Sequence, residues 1–176
     1  MTKWNNLPSE NSLQTTIKAL QQNGMNAIVV NTGKEAKEKA LEIIPEGSEV
    51  MTMSSVTLDT IGLSEEINKA DGKFKPVRDK LYSMDRKTQA KEMNRLGAAP
   101  EFAVGSVHAV TQDGHVLIAS STGSQLPAYV YGAGKVVWVV GTQKLVKNTN
   151  EGMKRIYEYV FSLEDERARA AYGMGS

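Results

Sequence analysis

Two loops rich in small hydroxyl residues are the best candidates for binding chemistry. Each loop, Ser54–Thr57 and Ser120–Gln125, follows a predicted strand and precedes a predicted helix. Ligands of open α/β sheets bind beyond the carboxyl ends of strands, and a helix N-terminus favours phosphate or carboxylate. We therefore expect a small-anion site, with ordinary helix caps as the alternative. The expected ligand-binding residues are Ser54, Ser55, Thr57, His108, Thr111, Ser121, Thr122, Gly123, Ser124 and Gln125.

The two histidines lie on either side of an Asp-Gly turn, which is a strong hairpin signal. We predict no metal site, because strand alternation does not bring His108 and His115 together and no third ligand is evident. His108 is expected to line the anion pocket, and His115 to lie exposed at the turn. Asp113 is the candidate catalytic acid or base; the alternative is that it simply fits the turn.

Other recognised binding and catalytic patterns are absent or weak. Neither loop matches the dinucleotide-binding or P-loop fingerprint. No G-x-S-x-G segment is present, so a serine nucleophile is not predicted. Lys135 and Lys144 flank the last predicted strand; we expect surface positions for both, although either could neutralise a bound anion.

Composition excludes several classes of protein. The 176 residues carry 21 Lys and Arg against 20 Asp and Glu, a balance that argues against nucleic-acid or membrane-surface binding. The chain contains no cysteine, so no disulfide and no cysteine-ligated cluster is expected within it, and we predict no cofactor in the chain itself. No signal peptide and no apolar run of ~18 residues is evident, so we expect a cytoplasmic protein.

Helix and strand patterns alternate along the chain, which is typical of a parallel α/β sheet. The predicted helices cover 9–23, 34–44, 58–70, 86–96, 125–131 and 150–171, the last with a kink near Ser162, and the predicted strands cover 25–31, 49–54, 103–111, 115–120 and 135–141. These elements predict a layered α/β fold with a mostly parallel sheet, helices on both faces and one hairpin. Residues 1–15 are expected to form an arm and the start of the first helix, and residues 16–176 a single domain.

Two segments, VMTMSSVTLDTIGL and VGSVHAVTQDGHVLIASSTGSQLPAYVYGAGKVVWVVGTQKLV, resemble the LUD-domain family of lactate-utilisation proteins, which includes the LutC/YkgG type. The resemblance covers about 16–172 and implies the NagB/RpiA/CoA-transferase fold. Family members carry an acidic-Thr-Gly turn, whose place Gln112-Asp113-Gly114 takes here; Gly123 and Pro127 match later positions. The acidic residue is therefore moved by one position or lost.

The resemblance also implies a function in organic-acid metabolism. Relatives take part in oxidising lactate to pyruvate, some beside iron–sulfur partners, and any such cluster here would belong to a partner protein. The first hypothesis is a protein that binds a small anionic metabolite as a component of lactate or organic-acid utilisation. The alternatives are an isomerase-like or CoA-transferase-like enzyme using Asp113, and a structural subunit of an iron–sulfur oxidoreductase. We expect a homodimer from the fold, and a C-terminus shortened relative to the family.

Overall fold

The computed structural model describes residues 3–173 and residue 175. The α-helices are α1 Glu10–Gln22, α2 Gly33–Ile43, α3 Val56–Thr60, α4 Leu63–Ile67, α5 Val77–Ser83, α6 Arg86–Ala98, α7 Thr149–Arg155 and α8 Phe161–Tyr172. The strands are β1 Glu49–Thr52, β2 Lys75–Pro76, β3 Phe102–Gly105, β4 Ala109–Thr111, β5 Val116–Leu117, β6 Lys135–Trp138 and β7 Leu145–Val146. Within the described residues, no helix has both the length and the apolar character needed to cross a membrane.

The chain divides into two compact units, each assembled from separate segments. The central unit comprises residues 30–106 and 122–139, and the terminal unit comprises residues 1–29, 107–121 and 140–176. The expectation that residues 16–176 form a single domain stays a prediction.

The central unit is built on a four-stranded parallel sheet in the order β2-β1-β3-β6. The register places Val50 of β1 beside Phe102 of β3, and Phe102 beside Lys135 of β6. Val50 and Val104 are fully buried, together with the apolar side chains that α3 and α4 turn towards the sheet. The predicted α/β fold with a parallel sheet is confirmed.

The terminal unit contains a three-stranded sheet in the order β5-β4-β7, in which β4 pairs antiparallel with β5 and parallel with β7. The predicted hairpin is present, and its loop has three residues because Thr111 N–H donates to the His115 carbonyl at 2.9 Å. Gly114 closes the loop with φ +84°, a conformation that glycine adopts without steric cost. Asn23, just after α1, donates to the Gly114 carbonyl at 3.1 Å and holds the loop against that helix end.

Two predicted strands are wrong. Residues 25–31 form no strand, and Ile28 and Val29 are each 48% exposed. Their β-forming side chains have no neighbouring strand to pair with, and a strand needs a hydrogen-bonded partner. The predicted strand 103–111 is two strands, β3 and β4, which belong to different sheets. The chain leaves the first sheet after Gly105.

Two predicted helices differ in detail. The predicted helix 58–70 is instead two short helices: α3 begins earlier, at Val56, and is separated from α4 at Gly62, whose φ of +67° ends the first helix. The final helix does not kink at Ser162. Its irregularity is instead a π-helical segment, Ile156–Val160, between α7 and α8. Periodicity predicted the extent of this helix but not the extra residue per turn.

Candidate functional site

Arg78 is the residue that organises the carboxyl edge of the parallel sheet. It lies in the first turn of α5, directly after edge strand β2. Its Nη2 donates to Ser54 Oγ at 2.9 Å, and its Nη1 to the Thr52 carbonyl at 3.4 Å. Its Nε donates to the Tyr82 hydroxyl at 2.8 Å. Among the described residues, no carboxylate forms an ion pair with it.

The donor count of Arg78 leaves a pair of N–H groups for a ligand. A guanidinium has five N–H donors, and the bonds to Ser54, Thr52 and Tyr82 use one on each nitrogen. One N–H therefore remains on each terminal nitrogen. Two such donors match the two oxygens of a carboxylate.

The predicted loop residues beside Ser54 act partly as a helix cap. Ser55 is the N-cap of α3, where its Oγ accepts from Leu58 N–H at 3.4 Å. Thr57 lies in the first turn, and its carbonyl accepts from Ile61 N–H. Because α3 has only five residues, its dipole is short and the cap interpretation accounts for Ser55. Ser54 differs, since its side chain is exposed and bonded to Arg78.

The central unit contains the Thr122–Gln125 part of the second predicted loop, Ser120–Gln125, and these residues form a tight polar turn. Thr122 Oγ1 and Ser124 Oγ are 3.0 Å apart, and Ser124 N–H donates to Thr122 Oγ1 at 3.4 Å. Gly123 has φ +72° with open space where a Cβ would lie. Its carbonyl accepts from Leu126 N–H, and the helical segment 126–132 begins there, one residue later than the predicted helix 125–131.

Contacts of this helical segment place the second loop at the same sheet edge as Ser54. Tyr129 is buried against the carboxyl end of β3, where its oxygen accepts the Ser106 N–H and its ring meets Trp138 edge-on with centroids 5.5 Å apart. Burial raises the pKa of Tyr129, so the phenol stays protonated. Gly132, at the other end of the segment, lies against the Ala98 carbonyl ahead of β3. The segment therefore runs antiparallel to β3.

His108 is held in one orientation in the terminal unit. Its Nδ1 accepts the Ala119 N–H at 3.1 Å, so the neutral ring carries its proton on Nε2. Burial, then the positive charge of Lys144, lowers its pKa, while Glu164 opposes the shift. Arg155 donates from Nε to the His108 carbonyl at 3.0 Å. His108 is thus a neutral, partly exposed N–H donor near pH 7.

Thr111 and Asp113 brace the hairpin turn. Thr111 is fully buried; its hydroxyl donates to Asp113 Oδ1 and accepts the His115 N–H at 2.9 Å. The Thr111 bond, then the His115 side chain 3.2 Å from the carboxylate, lowers the pKa of Asp113. These contacts explain why Asp113 fits the turn, and they make its carboxylate a weaker base. A catalytic role for Asp113 stays a prediction.

The predicted ligand-binding residues fall into two groups by unit. Ser54, Ser55, Thr57 and the stretch Thr122–Gln125 belong to the central unit, whereas His108, Thr111 and the exposed Ser121 belong to the terminal unit. A common site for all of them stays a prediction. Among the described residues, no three His, Asp or Glu side chains come close enough to hold a metal ion.

Sequence reasoning missed Arg78. It lies in a stretch of mixed periodicity, where a charged residue is normally taken as solvated. The available signal was its place two residues after Pro76, since a short strand followed by a helix puts the first helical turn at the carboxyl edge of the sheet.

The fold and this edge define a layered α/β protein with a polar, arginine-centred surface at the carboxyl ends of its parallel strands. The family model for the LUD domain matches residues 13–171. The chain therefore belongs to the LUD-domain family, whose members are associated with lactate utilisation, as the resemblance predicted. A search of curated proteins found no match.

Proposed function

We propose that this protein binds the carboxylate of a small organic acid, of the lactate and pyruvate class, at Arg78 and Ser54 in the central unit. The observation that carries the proposal is the arginine itself. It is fixed by three hydrogen bonds, one to the last residue of β1 and one to Ser54 in the loop that follows, and keeps one donor on each terminal nitrogen. Membership of the LUD-domain family supports organic acids as the ligand class.

Preorganisation favours binding over a purely structural role for Arg78. An arginine loses rotamer freedom when it binds a carboxylate, and that cost is smaller if its position is already fixed. The Tyr82 hydroxyl and ring hold one side of the guanidinium, with Cζ 5.3 Å from the ring centroid. The loop Thr122–Gln125, at the same edge, supplies hydroxyl groups for a 2-hydroxy or 2-oxo substituent.

Calorimetric titration with L-lactate, D-lactate and pyruvate tests this function, with neutral lactamide as the ligand control. Arg78→Gln removes two charge-assisted hydrogen bonds to the ligand. Because such bonds contribute about 1.5–3 kcal/mol each, the variant should bind at least ~10-fold more weakly. Arg86→Gln is the matched control, since Arg86 is an exposed arginine in the same unit.

Thermal unfolding without ligand shows whether either variant has lost its fold. Ser54→Ala provides a milder second variant, since it removes one partner of Arg78 without removing charge. Equal affinity of Arg78→Gln and Arg86→Gln for the acids would contradict the site. Absence of binding of all three acids to the unaltered protein would contradict the ligand class.

A further inference from the structure

Tyr82 presents a hydroxyl proton beside the guanidinium of Arg78. It lies four residues after Arg78 in α5, so the two side chains share one face of that helix. The hydroxyl oxygen accepts from Arg78 Nε at 2.8 Å, and the ring centroid is 5.3 Å from Arg78 Cζ. A phenol can accept and donate at the same time. Among the described residues, no acceptor is hydrogen-bonded to the Tyr82 O–H, which leaves this donor for a ligand.

The position of Tyr82 favours a role in recognition over a role in packing. Tyr82 is 72% exposed, so burial contributes little to holding it in place. Its hydroxyl is held by Arg78 instead, and Arg78 is bonded in turn to Ser54 and to the Thr52 carbonyl. A hydroxyl that is already held, yet open to solvent, can meet a ligand with little further loss of rotamer freedom.

The nitrogens of Arg78 relate this hydroxyl to a bound acid. Nε and the two terminal nitrogens are attached to the same carbon, and the terminal nitrogens keep the N–H groups that face a carboxylate. A carboxylate bound there therefore lies beside the Tyr82 hydroxyl. In a 2-hydroxy or a 2-oxo acid, the 2-oxygen is on the carbon next to the carboxylate, and in both kinds of acid it can accept a hydrogen bond.

We propose that Tyr82 is a specificity-determining residue, which distinguishes 2-oxygenated acids from simple carboxylates by donating its O–H to the 2-oxygen. The inference rests on the proposed carboxylate site at Arg78 and narrows the class of its ligands. Hydroxy and oxo acids are both recognised, because the contact requires only an acceptor. An acid without the 2-oxygen keeps the bonds to Arg78 and loses this one.

Calorimetric titration with L-lactate, pyruvate and propionate measures this discrimination, because propionate has the same carbon chain without the 2-oxygen. Tyr82→Phe keeps the ring and removes only the hydroxyl. The preference for lactate and pyruvate over propionate should fall about 2–10-fold, the contribution of one hydrogen bond. Any loosening of Arg78 in the variant affects all three acids and cancels in this ratio. Tyr131→Phe is the matched control and should keep the preference, since Tyr131 is 95% exposed in the same unit.

Titration with 3-hydroxypropionate tests the position of the contact. Its oxygen is one carbon further from the carboxylate, so its affinity relative to propionate should be the same in Tyr82→Phe and in the unaltered protein. An unchanged preference for 2-oxygenated acids in Tyr82→Phe would overturn the inference, as would the lack of any such preference in the unaltered protein. Either result leaves the carboxylate site standing if Arg78→Gln still weakens propionate binding. Propionate binding that is indifferent to Arg78→Gln would contradict the site itself.

Discussion

Lys144 should make the protein more stable as the pH rises from about 8 to 10.5, an unusual direction for a lysine. A group whose pKa is lower in the folded state binds its proton more weakly there than in the unfolded chain. Between about 8, its folded pKa, and 10.5, its ordinary value, the unfolded chain holds the proton and the folded protein does not. The free energy of unfolding therefore rises with pH in that window.

The magnitude follows from the pKa. Each pH unit of difference corresponds to ~1.4 kcal/mol, so the interval from about 8 to 10.5 gives a gain of about 3 kcal/mol. Below pH 8 both states hold the proton, and the same amount is a standing cost of keeping the ammonium buried, to which the charge of Arg155 adds. Lys144→Met removes this cost, because it keeps the length of the side chain without the charge.

Urea denaturation at a series of pH values measures the effect. Lys144→Met should be more stable than the unaltered protein near neutral pH, and the difference should shrink towards pH 10.5. Other titrating groups are common to both proteins and cancel in the difference. Lys147→Met provides the control and should follow the unaltered protein. If the stability of Lys144→Met keeps a constant offset from that of the unaltered protein across the series, the reasoning that burial and Arg155 lower the pKa of Lys144 is refuted.

Two further predictions concern stability. His108→Asn keeps an acceptor for the Ala119 N–H. Because burial lowers the pKa of His108, the free energy of unfolding of the unaltered protein should fall below about pH 6.5, where the ring protonates. The variant should lose less stability over the same range. Denaturation of the exposed His115→Asn variant controls for the loss of a histidine. Gly132→Ala would place a Cβ against the Ala98 carbonyl and should destabilise the protein by about 1–3 kcal/mol. Gly97→Ala lies inside α6 with only Leu81 near the new Cβ, and it should stabilise the protein by up to ~1 kcal/mol. Stability changes of the same sign for both variants would contradict this packing.

Local patterns predicted the elements whose determinants are close in sequence. The N-cap of α1 is Ser9, where the predicted helix 9–23 begins, and the N-cap of α2 is Thr32, just before the predicted helix 34–44; each side chain accepts from the N–H three residues later. The hairpin around Gly114 follows from the same short-range chemistry. These contacts join residues at most a few positions apart, so a sequence contains the information needed to find them.

Strand boundaries were predicted less well because they depend on distant partners. Residues 103–111 read as one apolar run, yet β3 ends at Gly105, where a Cβ would overlap the Tyr129 hydroxyl. Nothing in the run itself signals that contact. For the same reason, residues 25–31 look like a strand in isolation, although no strand within the described residues pairs with them.

The candidate sites depend on distant contacts to a greater degree. Helical periodicity alone places a charged residue such as Arg155 on the solvated face. In the structure this face of α7 is packed, because Gly152, three residues earlier on the same face, is also buried. The arginine is tolerated there because His108 and Trp4, 47 and 151 positions away, turn carbonyls towards it. Those carbonyls accept hydrogen bonds from the guanidinium but do not neutralise its positive charge. Burial lowers the pKa of both Lys144 and His108, and the positive charge of Arg155 adds a smaller contribution in the same direction.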